Sequence, residues 1–148
     1  MFKHILVPTD FGEPAEQALE LAIELAGKFD AKLTLLHAYS LPSMPYTSGL
    51  ALPMEEIADA AEEALENALE RARKRYPRCE GLVQAGAASE RILAVTKESG
   101  VDLIAMGTHG RRGLSRFMLG SVAERIVRTS PVPVLIAADR VDAEPRAS

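Results

Sequence analysis

The stretch Val101-Asp102-Leu103-Ile104-Ala105-Met106-Gly107-Thr108-His109-Gly110-Arg111-Arg112-Gly113-Leu114-Ser115-Arg116-Phe117-Met118-Leu119-Gly120-Ser121 changes character twice. Residues 101–106 are a short apolar run of the kind that forms a buried strand. Ser121 opens a segment with helical spacing that runs to Thr129. Between them lie Gly107, Gly110, Gly113 and Gly120, with Arg111, Arg112 and Arg116. Glycine has no Cβ to block a positive φ or a close approach, so its backbone N–H groups can turn toward an anion. A helix start adds unpaired N–H donors and the positive end of a dipole. Strand, glycine turn and helix start together form a phosphate-holding device. The turn is not a Walker A sequence, because no Gly-Lys-Ser/Thr follows the glycines, and it is not the dinucleotide pattern Gly-x-Gly-x-x-Gly.

Outward from this stretch, the chain repeats the same alternation. Residues 2–7 read as a buried strand ending at Pro8-Thr9-Asp10. Gly12, Glu13 and Pro14 punctuate, and proline suits a first helical turn. Ala18, Leu21, Ala22, Leu25, Ala26 and Phe29 then recur at helical spacing, and Asp30 ends that helix in a tight turn. Residues 31–38 form a second strand. Residues 39–53, with Pro42, Pro45, Gly49 and Pro53, break all periodicity and read as a surface connection or, alternatively, a lid. The longest helix follows, over 54–76, with glutamates at its start and Arg71, Arg73, Lys74 and Arg75 at its end. That polarity complements the helix dipole and explains the basic cluster without nucleic acid. Residues 79–85 are a third strand with Gly81 inside. Ser89 is placed to cap a helix that Gly100 ends, and Ser121 with Glu124 has the spacing of a capping box. Residues 132–137 are the fifth strand, and the polar stretch 139–148 reads as a frayed tail.

Strands that alternate with helices five times imply parallel β-α-β units in a doubly wound α/β sheet. The strand orders 2-1-3-4-5 and 3-2-1-4-5 both fit the periodicity. Ligands of open α/β sheets bind at the carboxyl ends of the strands where the order reverses.

Composition narrows the function classes. A hydrophobic share of 47% with 26% charged residues is that of one ordinary globular domain. The net charge of −4 gives no basic field for nucleic acid. The single cysteine, Cys79, excludes an internal disulfide and a cysteine-based zinc site. No apolar run reaches the roughly 20 residues of a membrane span, and no signal peptide is read at the start. The expected address is the cytoplasm. His4, His37 and His109 are too scattered to read as a metal cluster.

The spacing of Gly107, two residues, Gly110, nine residues, Gly120 and Ser121 resembles the nucleotide-binding signature of the universal stress protein (UspA) family, in its ATP-binding branch. The likeness extends to the opening Lys3-His4-Ile5-Leu6-Val7-Pro8-Thr9-Asp10 and the closing Ser130-Pro131-Val132-Pro133-Val134-Leu135-Ile136. The resemblance implies one domain over 1–138. It implies a Rossmann-like, adenine nucleotide alpha hydrolase-like sheet of order 3-2-1-4-5, strands one and four side by side at its centre. It implies ATP as ligand, with Mg²⁺ or Mn²⁺ bridging the phosphates. Pro8, Thr9 and Ala38 match adenine-contacting positions, and Asp10 lies on the ribose side. Met106 reads as core or pocket wall. Gly107, Thr108, His109, Gly110, Arg111, Arg112 and Gly113 would wrap ribose and phosphates. Gly120, Ser121 and Val122 would present N–H groups and a hydroxyl to the phosphates. A homodimer through the last strand, bounded by Val132 and Ala137, is also implied, and Pro131 and Pro133 independently mark that strand as an edge.

Three functions follow as alternatives. The first is an ATP-binding regulatory module with slow or absent turnover, acting on an unidentified protein partner. The second is a slow ATPase or self-phosphorylating enzyme, against which stands the lack of a residue placed as general base. The third is a nucleotide-free interaction module, against which stands the intact glycine spacing.

Overall fold

Strand β1 (His4–Pro8) is the axis of the molecule. Ile5, Leu6 and Val7 are each fully buried, so both faces of this strand must be covered. The computed structural model describes residues 1–40, 54–108 and 119–138. In chain order it contains β1, helix α1 (Glu13–Phe29), β2 (Lys32–Tyr39), α2 (Met54–Arg75), β3 (Cys79–Ala85), α3 (Ala88–Glu98), β4 (Leu103–Gly107), α4 (Ser121–Thr129) and β5 (Val134–Ala137). All five strands are parallel, in the order β3-β2-β1-β4-β5. The order reverses between β1 and β4, and β5 is an edge strand.

The two-residue alternation along the strands sorts the core into two layers. Ile5, Val7, Leu33, Leu35, Leu103 and Ala105 meet α1 and α2 through Leu19, Ala22, Leu65 and Leu69. Leu6, Leu36, Ile104 and Met106 meet α3 and α4 through Ile92, Val95 and Ile126. Each fully buried leucine or isoleucine contributes about 1.5–3 kcal/mol relative to exposure. Gly81 lies where a Cβ would stand 3.0 Å from Leu69 Cδ2 and 3.1 Å from Leu65 Cδ2. Its missing side chain lets α2 settle on β3, which is why the third strand is weakly patterned.

Several boundaries and caps differ from the sequence expectation, each for a local reason. β1 starts at His4, not residue 2: Phe2 packs edge-on against Phe29, ring centroids 5.4 Å apart, instead of joining the ladder. β4 starts at Leu103, because the Asp102 carboxylate turns back to accept from the Lys3 N–H at 2.8 Å and the His4 N–H at 3.1 Å. β5 starts at Val134, beyond Pro131 and Pro133, which have no N–H to donate. Ser89 is not a cap. Ala87, with extended backbone, holds the N-cap position of α3, which puts Ser89 inside the first turn and buried. Nor do Ser121 and Glu124 form a capping box. Gly120 is the N-cap of α4, Ser121 is its first helical residue, and Glu124 bonds Arg128 at 3.2 Å.

The basic end of α2 has a task besides its dipole. Arg71 and Arg75 lie 3.9 Å from Glu16 and Glu20 on α1, and Arg73 Nε donates to the Cys79 carbonyl at 2.8 Å. No helix among the described residues is long and apolar enough to cross a membrane.

Candidate functional site at the strand carboxyl ends

The reversal point places the ends of β1 and β4 side by side, with β2 next to β1. Past Pro8, the Thr9 N–H extends the ladder by donating to the Leu36 carbonyl at 2.8 Å. The chain then turns sharply. Thr9 Oγ1 accepts from the Phe11 N–H at 3.0 Å, Asp10 Oδ1 accepts from the Gly12 N–H at 2.9 Å, and Phe11 takes a left-handed φ of 66°. Two successive side-chain-to-backbone turns thus fix the direction of the Asp10 carboxylate. From β2, His37 braces the same turn. Its Nδ1 lies 2.8 Å from the Thr9 carbonyl oxygen, which can only accept, so Nδ1 carries a proton and donates. The His37 ring also packs against Phe11 at 4.5 Å between centroids. Sequence reasoning set His37 aside with the other histidines and passed over Phe11. The usable signal was position, one at the end of a strand and the other directly after an acidic turn residue.

The β4 side is equally specified. Gly107 packs on the start of α1, where a Cβ would stand 2.6 Å from Pro14 Cβ and 2.7 Å from the Pro14 carbonyl carbon. Contacts that short with backbone leave room for glycine only, whatever else the residue does. Met106 is buried in the α3–α4 core layer, its side chain committed to packing. Thr108 is buried, and its N–H donates to the Ala137 carbonyl at 3.1 Å. Its own carbonyl accepts from the Gly120 N–H at 2.6 Å. This hydrogen bond joins the end of β4 to the cap of α4. It also spends one of the amides expected to face phosphate. By helix geometry the Ser121 and Val122 amides in the first turn have no intrahelical acceptor, while the Glu124 N–H already donates to Gly120 O at 2.9 Å. Ser121 is exposed and Val122 half-buried. His109, Gly110, Arg111, Arg112 and Gly113 lie outside the described residues.

Pro8, Thr9, Asp10 and Ala38 are all half-buried at the ends of β1 and β2. Beyond Ala38, in register with it on β3, stands Gln84, whose Oε1 is buried without a hydrogen-bond partner among the described residues. A buried acceptor left unmet costs about 1–3 kcal/mol. Among the described residues no three His, Cys, Asp or Glu side chains gather to hold a metal ion. Burial pushes the Cys79 thiol up to about 11, which keeps this buried cysteine protonated and unreactive.

A parallel sheet of order 3-2-1-4-5 whose β4 end is hydrogen-bonded to the cap of α4 is a specific combination, and comparison with known proteins agrees with it. The model of the universal stress protein family matches residues 1–138. The chain belongs to the universal stress protein family. Universal stress protein YxiE of Bacillus subtilis is 32% identical over 146 residues, covering 92% of this chain and 99% of its own. The solved structure of MJ0577 is 29% identical with a TM-score of 0.74, over 93% of this chain and 96% of that one; MJ0577 is a universal stress protein of Methanocaldococcus jannaschii. A universal stress protein from Archaeoglobus fulgidus, solved in complex with dAMP, is 22% identical with a TM-score of 0.66, over 92% of this chain and 97% of its own. At that identity the last match bears on the fold alone.

Proposed function

We propose that this universal stress protein is an ATP-binding regulatory module whose nucleotide occupies the crevice between the ends of β1 and β4. The observation that carries the reading is the Thr108–Gly120 hydrogen bond, which sets the first turn of α4 beside the strand reversal. A phosphate there meets the Ser121 and Val122 amides and the positive end of α4. The Asp10 carboxylate, held by its turn, accepts from ribose hydroxyls. Pro8, Thr9 and Ala38 offer backbone and apolar surface to the base. That the same fold was solved with dAMP in the Archaeoglobus fulgidus protein makes an adenine nucleotide the first ligand to test. The side chains near the crevice fit such a ligand better than a protein-held metal. A Mg²⁺ or Mn²⁺ ion would therefore take most of its oxygens from the phosphates, as Mg²⁺ commonly does, and supply charge neutralisation there. Residues 107–113, given to ribose and phosphates, enter this proposal through Gly107 and Thr108 on the described side.

The apolar edge strand suits self-association. β5 presents Val134, Leu135 and Ile136, all only partly buried, on an edge that no other strand among the described residues pairs. A homodimer through β5 follows, and light scattering at micromolar concentration should give twice the chain mass. A monomeric mass overturns it.

The test of the nucleotide reading is direct. Purified protein is denatured and the supernatant chromatographed for released nucleotide, then refolded or fresh protein is titrated with ATP and Mg²⁺. Bound ATP, or saturable binding with little phosphate release, supports the module. No binding at millimolar ATP overturns it.

A further inference from the structure

Gln84 is the polar residue at this end of the sheet that the reading above leaves without a task. Residues in register on parallel strands project to the same face, and Ala38 and Gln84 are in register on β2 and β3. The face is fixed by the pair two residues earlier, Leu36 and Leu82, which both pack in the α3–α4 layer. Gln84 therefore stands on the side of the sheet that carries α4, next to the strand end assigned to the base. A leucine there would continue the apolar surface of Leu36 and Leu82. The chain has instead a carboxamide whose Oε1 is buried with no partner among the described residues. The residue as a whole is half-buried, and rotation of the carboxamide exchanges the places of its oxygen and its NH₂ group. Nearby in sequence, Ser89 is buried in the first turn of α3 and its hydroxyl caps nothing.

We propose that Gln84 reads the edge of the nucleobase, its Oε1 accepting a hydrogen bond from the 6-amino group of adenine. This rests on the nucleotide reading. Adenine offers an N–H₂ donor at that edge, and an amide side chain can meet it while donating from Nε2 to the adjacent ring nitrogen. Gln84 is then the residue that makes the module specific for a 6-aminopurine, whereas contacts of Pro8, Thr9 and Ala38 are shared by purines in general.

The experiment pairs a ligand change with a side-chain change. The full chain and its Gln84→Leu variant are each titrated with ATP and with purine riboside triphosphate, which is ATP without the 6-amino group. The wild type should prefer ATP by about tenfold, or about 1.4 kcal/mol. Gln84→Leu should bind the two equally, with a urea midpoint at or above the wild-type value, because an unmet buried acceptor is removed. A preference for ATP that persists in Gln84→Leu overturns the assignment, as does a wild type indifferent to the amino group. Wild-type protein that binds neither ligand instead overturns the nucleotide reading on which the assignment stands.

Discussion

At the amino ends of the strands, polar groups are paired off against one another. His4 is buried, with Nδ1 donating to the Ser99 carbonyl at 3.0 Å and Nε2 2.7 Å from Thr34 Oγ1. Asp102 accepts two backbone N–H groups and returns its own to the His4 carbonyl at 3.0 Å. At the carboxyl ends, hydrogen bonds fix the backbone but leave the Gln84 oxygen without a partner among the described residues, and helix geometry gives the first-turn amides of α4 no intrahelical acceptor. The first arrangement uses its polar atoms to lock β1, β2 and β4 together. The second uses them to hold a shape whose remaining valences point elsewhere. The difference separates residues whose loss should cost stability from residues whose loss should cost affinity.

Gly107→Val is the substitution expected to break that separation. It sits at the carboxyl end yet should act on folding, because the new side chain meets Pro14 backbone at under 3 Å. Overpacking of this kind costs about 3 kcal/mol, read as a lower urea midpoint together with weakened ATP binding. His4→Leu tests the amino end. It strands the Ser99 carbonyl and the Thr34 hydroxyl and should cost about 2 kcal/mol, with ATP affinity unchanged; a matching fall in affinity would show that the two ends are coupled. Asp10→Asn keeps an acceptor for the Gly12 N–H while removing the charge. ATP affinity should fall about tenfold, about 1.4 kcal/mol, at constant stability. Ser121→Ala should move stability by less than about 0.5 kcal/mol, since the hydroxyl caps nothing, and should lower ATP affinity severalfold; a large loss of stability would restore a structural role to that serine. Cys79 supplies a convenient readout for the set. Its buried thiol, held at about 11, should resist alkylation at pH 8 in the folded state and react on unfolding. Equal rates with and without urea would contradict that burial.

Much of this architecture was legible before any coordinates. Apolar runs and helical spacing located every element, and the bounds of β3 and α4 coincide with the expected ones. The starts of β1, β4 and β5 did not, because Phe2 and Asp102 are decided by partners distant in sequence and Pro131 and Pro133 have no N–H to give the ladder. Both serine caps were misread for a common reason. Capping depends on which residue takes extended backbone before the first turn, and Ala87 and Gly120 take it one or more positions earlier. The place of the candidate site was read from the strand order, while its supports were not. His37 and Phe11 act through a contact between strand and loop, and Gln84 is significant only because no described residue meets its oxygen. No local pattern marks an unmet atom.

The Thr108–Gly120 bond has one more consequence, for how this chain tolerates change. The segment between them must leave and return at points one hydrogen bond apart, with β4 and α4 already fixed on either side. The junction of β4 with α4 is therefore held by its own two ends and by the scaffold on either side. Substitutions between those ends that spare the bond should leave the strand order and the α4 cap where they are.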